Sequence, residues 1–220
     1  MLLNAEQVAA YLREHPEFFD QNGALLVDVN VPHPHGGRAI SISERQILTL
    51  REKNKLLESK LADLIRYGEE NDAIGEKMHR LAVALIGARG YEAALDAVYT
   101  ALTENFAVPH SALRLWGIPG TEVKLAEFST TAPELRQFAA AMTAPYCGQH
   151  PGCDTSDWFG EARARVRSFA LIPLRSVDTI GLLALASEDA KRFYPEMGTL
   201  YLKWLGDLVG AALVACAEVR

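Results

Sequence analysis

Apolar residues recur at helical spacing through the first third of the chain. Val8, Tyr11 and Leu12 share one face of a short helix that starts at Asn4, with Gln7 in capping-box position. Pro16 ends that helix and Phe18 and Phe19 follow, an apolar load that predicts docking against another surface. Residues 32–38, PHPHGGR, read as a turn or loop. A second helix starts at Ser43, with Gln46 in the same capping relation. Ile47, Leu50, Asn54, Leu57, Leu61 and Leu64 then alternate in steps of three and four, an a/d seam of nearly three heptads. Asn54 falls at an a position, where a buried amide bonds its symmetry mate and favours a parallel two-stranded pairing. Lys53 and Glu58 stand in the g-to-e relation and attract across such a pair. The seam predicts a parallel homodimer; the competing reading is one long helix packed on its own domain.

After Leu64 the next core positions hold Gly68, Asn71 and Gly75, so this stretch reads as a solvated segment or a slack joint in a continuing helix. Met78, Leu81 and Leu85 resume a stripe. The division that follows is a helical segment and loop over 1–42, a coiled-coil helix over 43–71 and an α/β-patterned domain over 72–220.

In that domain, Tyr91 to Phe106 reads as a helix with Leu95, Val98, Tyr99, Leu102 and Phe106 on one face. His110 to Gly117 alternates as a strand, with Ala112, Arg114 and Trp116 on one side and Leu113 and Leu115 on the other. A Pro119–Gly120 turn predicts a hairpin partner at Val123–Phe128. Pro133 opens a helix to about Met142, and residues 143–157 form a Pro/Gly-rich loop anchored by Trp158 and Phe159. Ser168–Arg175 and Thr179–Ser187 read as central strands joined by a turn near Asp178. A last helix opens at Tyr194–Pro195, where Gly206 and Gly210 permit close approach to a neighbouring helix. The predicted class is α+β: an antiparallel sheet flanked by helices, preceded by the long coiled-coil helix.

The order helix, helix, hairpin, helix, loop, hairpin, helix resembles a GAF domain. The strands SFALIPLRS and DTIGLLALAS, followed by RFYPEMGTLYLKWLGDLVGAAL, look like the C-terminal half of that fold. The N-terminal segments VAAYLREHPEFF, VPHPHGG and SISERQILTLREKNKLLE resemble the bacterial family called domain of unknown function 484, a resemblance that extends over the whole chain. It implies a GAF-like fold with a helical N-terminal region and carries no catalytic residues with it. GAF domains in general bind cyclic nucleotides, tetrapyrroles or other small molecules, or dimerise.

Composition narrows the classes further. The chain is 49% hydrophobic and 23% charged, enough to build a core. Its net charge of −6 argues against nucleic-acid backbone binding, which needs clustered Lys and Arg. The N-terminus lacks a basic n-region and a cleavage site, and the longest apolar run, 200–217, is interrupted by Lys203 and Asp207. Three cysteines fit reduced thiols, so a cytoplasmic protein without membrane attachment is expected.

Candidate chemistry centres on the loop. Cys147, His150 and Cys153 are ligand types for soft metals, but the Cys-x5-Cys spacing is not a zinc-knuckle pair, and Pro151–Gly152 explain the loop without a metal. No activating base marks either thiol for reactivity. A tetrapyrrole thioether at Cys147 or Cys153 lacks the aromatic and acidic surroundings a chromophore pocket needs. Arg163, Arg165 and Arg167 would share one face on a strand and grip an anion; otherwise they form a solvated surface. His33 and His35 suit a turn, and His110 a structural place at a strand start. The P-loop, GxSxG, HExxH and GxGxxG signatures do not occur. The expected function is a non-enzymatic sensory or regulatory module without a resident cofactor. Its small-molecule pocket would lie under the 143–159 loop, drawing on Arg114, Trp116, Cys147, His150, Trp158, Phe159, Leu171 and Pro173. The alternative is a structural dimerisation or partner-binding protein with a filled pocket.

Overall fold

The computed structural model describes residues 4–25, 30–32, 39–118, 125–150, 153 and 155–218. The chain divides into two compact units, Met1–Glu69 and Glu70–Arg220.

In the first unit, helix α1 (Ala5–Glu14) starts with the predicted reciprocal cap: Asn4 accepts from the Gln7 amide while the Gln7 side chain accepts from the Asn4 amide. It ends at His15, ahead of Pro16, and buries no residue. Helix α2 (Phe18–Gln21) brings the Phe18 ring to 6.4 Å from Tyr11, so part of the apolar load packs on itself. Strands β1 (Asn30–Pro32) and β2 (Ala39–Ser41) form an antiparallel ribbon around the predicted loop, of which residues 33–38, with His33 and His35, lie outside the described residues. Helix α3 (Ile42–Gly87) follows. Its seam residues Ile47, Leu50, Leu57, Leu61 and Leu64 are between 49% and 66% exposed, and Asn54 is exposed as well. An apolar stripe of that length in water leaves a strong drive to pair. The helix runs unbroken through Gly68 and Gly75, so the polar stretch is a continuing helix rather than a break.

In the second unit, the last turns of α3 place Leu81 and Leu85 in the core. Helix α4 (Gly90–Thr100) and a π-turn at Ala101–Asn105 add Leu95, Val98 and Leu102. Among the described residues four strands form an antiparallel sheet: β3 (His110–Leu115), β4 (Tyr146–Gly148), β5 (Ser168–Arg175) and β6 (Thr179–Ser187), in the order β3-β6-β5-β4. The central positions of β5 and β6 explain their near-continuous apolar sequence, since both faces are covered. Ala170, Ile172 and Leu174 of β5 look toward helix α6 (Leu200–Glu218), whose Leu202, Leu205, Val209 and Leu213 are buried there. Leu171 of β5 with Leu182 and Ala184 of β6 form the opposite face, under Leu135 and Ala139 of helix α5 (Pro133–Ala141).

Four expectations change. The hairpin partner at Val123–Phe128 is not a strand at its described end: Ala126–Phe128 is a 3-10 turn, and residues 119–124 lie outside the described residues. That turn is held by Phe128 packed edge-on to Tyr91 (5.2 Å) and by the Tyr99 hydroxyl donating to Glu127 (2.9 Å). The loop 143–157 contains an edge strand, because β5 offers an open edge that Tyr146–Gly148 fills. The final helix starts at Leu200, since residues 191–199 are turns and irregular backbone in which Phe193 is buried. Gly206 and Gly210 meet a strand, not a helix: a Cβ on Gly206 would lie 2.6 Å from Ile172 Cγ2, and one on Gly210 2.6 Å from the Arg175 carbonyl oxygen. The apolar span Leu200–Ala217 has the length and hydropathy of a membrane-crossing helix, and the buried part of that helix is seated on the sheet.

Candidate functional site

The sheet face opposite α6 carries the site. Beneath it lies the fully buried apolar layer of Leu171, Leu182 and Ala184, and Trp116, Phe138, Trp158 and Phe159 pack around that layer. Alternation on β3 sends Arg114 toward this face while Leu113 and Leu115 go into the other core. The Arg114 guanidinium lies 5.0 Å over the Trp158 ring and donates to the Leu113 carbonyl oxygen (2.9 Å). A cation over an indole face in a half-buried setting contributes about 0.5–2 kcal/mol and fixes both groups. Arg114, Trp158, Phe138, Thr130, Thr131 and Glu134 bound a cleft of about 520 Å³. Pro133 in the first turn of α5 sets that wall, so the cleft opens beside the N-terminal end of the helix.

A neighbouring cleft of about 650 Å³ shares Cys153 with the first. His150, Thr155, Phe159, Arg163, Arg167 and Phe169 are in its lining. The three arginines do not share a strand. The 3-10 segment Ser156–Ala164 ends in a turn where the Val166 amide donates to the Ala162 carbonyl oxygen (3.2 Å). Arg163, within the 3-10 segment, and Arg167, in the backbone that leads into β5, both line the cleft, while Arg165 pairs with Glu188 at 3.1 Å.

The sequence pattern of a family described as "Protein of unknown function, DUF484" matches residues 1–215. The chain belongs to the DUF484 family. It is 26% identical over 207 residues to the uncharacterized protein YigA of Salmonella typhimurium, covering 91% of this chain and 87% of that relative. To YigA of Escherichia coli K12 it is 26% identical over 206 residues, covering 91% and 86%. Among solved structures it is similar to a GAF domain from Pseudomonas syringae pv. tomato, with a TM-score of 0.44, 20% identity and coverage of 68% of this chain and 90% of that one. A second is the GAF domain of the potassium sensor histidine kinase KdpD from Escherichia coli, with a TM-score of 0.37, 16% identity and coverage of 66% and 96%.

On this DUF484 chain the sequence-selected site residues separate into groups. Arg114 and Trp158 share the first cleft, His150 and Phe159 line the second, and Trp116 and Leu171 lie in the apolar layer beneath. Cys147 belongs elsewhere. It is the β4 partner of Ala170 and is buried with it on the α6 face, whereas Cys153 is on the cleft face. Cys153 lies beyond the end of β4, so its side of the sheet is set by the loop and not by the strand. Burial pushes the Cys147 thiol up to about 11, the reverse of an activated nucleophile. Pro173 lines neither cleft; it lies beside Gly206, its carbonyl oxygen 3.1 Å from where a Cβ there would stand. Among the described residues no group of three or more His, Cys, Asp or Glu side chains is placed to hold a metal. Thr130, Thr131, Glu134 and Thr155 were not selected from sequence; the polar run Ser129–Thr131 before Pro133 is the signal for the first two.

Proposed function

We propose that this protein is a non-enzymatic, GAF-like regulatory module that dimerises through the α3 seam and binds a small molecule in the cleft at Arg114. The observation that carries the reading is the open cleft itself: about 520 Å³, with a cation–aromatic pair on one side and Thr130, Thr131 and Glu134 on the other. A few polar groups beside apolar walls, here Leu135, Phe138 and Trp158, are the usual make-up of a small-molecule site. An open, polar-lined cleft supports binding over the structural alternative, in which side chains would fill that space. Ligand acts on the rest of the dimer only through unequal binding to two arrangements of it. The exposed seam from Ile47 to Leu64, with Asn54 at an a position, supports the parallel pairing.

Native mass spectrometry of protein purified from cells tests both parts. The expected spectrum is a dimer carrying a small-molecule adduct, with the adduct lost and the dimer kept in Arg114→Gln. A wild-type dimer of bare polypeptide mass refutes the binding reading and favours the structural one. A monomer refutes the seam.

A further inference from the structure

We propose that the second cleft, at Arg163 and Arg167, binds a small organic anion (a carboxylate or phosphate monoester on a flat or apolar body) independently of the cleft at Arg114. The charge of the lining points there first. Among the described residues, Arg163, Arg167 and His150 contribute to it and no carboxylate does, on a chain whose net charge is −6. The two guanidiniums are differently committed. Arg163 pairs with Asp157 at 3.1 Å, but the two side chains are 61% and 84% exposed, so an incoming anion competes for Arg163 at little cost. Arg167 has its amide fixed to the Ser187 carbonyl oxygen (2.8 Å), while its guanidinium has no ion pair or hydrogen bond among the described residues. The planar fork of a guanidinium matches carboxylate and phosphate oxygens in pairs.

Three further observations favour a small-molecule ligand there. Thr155 is fully buried, and its hydroxyl has no hydrogen-bond partner among the described residues. A buried hydroxyl left that way is costly, and a bound oxygen within reach would relieve it. Phe159 and Phe169, with ring centroids 5.9 Å apart, supply an apolar wall for the body of the ligand. The volume, about 650 Å³, suits a small molecule rather than a bare ion.

Isothermal titration of the full chain with phenyl phosphate, benzoate, inorganic phosphate and benzyl alcohol tests the proposal. Both aromatic anions are expected to bind saturably, with inorganic phosphate at least tenfold weaker and benzyl alcohol not binding. Arg167→Gln should weaken the aromatic anions at least tenfold without lowering the melting temperature, because the side chain is exposed; Arg114→Gln should leave them unchanged. Absence of saturable binding by both anions, or equal affinity for benzyl alcohol, overturns the proposal. So does binding that Arg114→Gln abolishes and Arg167→Gln spares, an outcome that assigns the anion to the first cleft and leaves the proposed function standing.

Discussion

Replacing Gly210 by alanine tests how α6 is seated on the sheet. Gly210 lies within α6, where the change should help: alanine is favoured over glycine inside a helix by about 1 kcal/mol. The new Cβ, however, would stand 2.6 Å from the Arg175 carbonyl oxygen and 3.1 Å from the Arg175 amide nitrogen. Both are backbone atoms at the point where the β5–β6 register shifts, so neither swings away as the end of a side chain would. Overpacking a tight interior costs about 1–3 kcal/mol, and a backbone clash of this kind belongs in the upper part of that range. The net expectation is a loss of about 1–2 kcal/mol, lowering the melting temperature by about 2–8 °C in a chain of this size. Gly206→Ala should lose stability as well, because its new carbon would stand 2.6 Å from the Cγ2 methyl of fully buried Ile172 and 3.1 Å from the Pro173 carbonyl oxygen. Gly75→Ala is the control: it lies inside α3 with nothing within 4 Å of the new carbon, so it should gain about 0.5–1 kcal/mol. Urea and thermal unfolding of the three variants give the ranking. If Gly210→Ala is as stabilising as Gly75→Ala, α6 does not sit on β5 as described.

Leu57→Glu places a charge in the middle of the exposed seam and, by symmetry, a like charge on the partner. Each buried Leu contributes about 1.5–3 kcal/mol, so the dissociation constant should rise about 100-fold or more, which sedimentation velocity at micromolar concentration reads as monomer; an unchanged dimer places the interface elsewhere. For Cys147, 6% exposed, the thiol is pushed from 9.0 up to about 11 by burial, so the folded state holds its proton where the unfolded state loses it. That contribution is fully present below pH 9 and is lost as pH rises through 11, amounting to about 2–3 kcal/mol at most. Comparing urea midpoints of the wild type and Cys147→Ala at pH 8 and pH 11 isolates it; a difference that does not change with pH means the thiol is not buried.

The strands that were legible are those whose residues decide their own environment. β5 and β6 are long apolar runs that belong in a sheet centre wherever they pair, and the structure puts them there. On β3, the alternation of Leu113 and Leu115 with Arg114 and Trp116 assigned the two faces correctly. β4 was not legible, because three residues between Pro145 and Gln149 carry too short a pattern; its strand state comes from the open edge of β5. The spacing of Gly206 and Gly210 correctly signalled close approach, but a spacing on one helix holds no information about what approaches it.

The same limit decides which chemistry belongs to the candidate site. Cys147, His150 and Cys153 are a sequence cluster because they are close along the chain, and closeness along the chain is not closeness in space: pairing of β4 with β5 buries Cys147 among the α6 residues, whereas His150 and Cys153, beyond the strand, line the clefts. The arginines show the converse. On a strand their alternate spacing would have put all three on one face; they lie instead in and just after a 3-10 segment, where Arg163 and Arg167 line the cleft and Arg165 pairs with Glu188. A thiol held protonated by burial has little reactivity to offer, whereas a guanidinium with its backbone anchored and its head unpaired has lost part of its freedom in advance of binding. The functional weight of the segment following β4 therefore moves from sulfur to the arginines and the aromatic rings beside them.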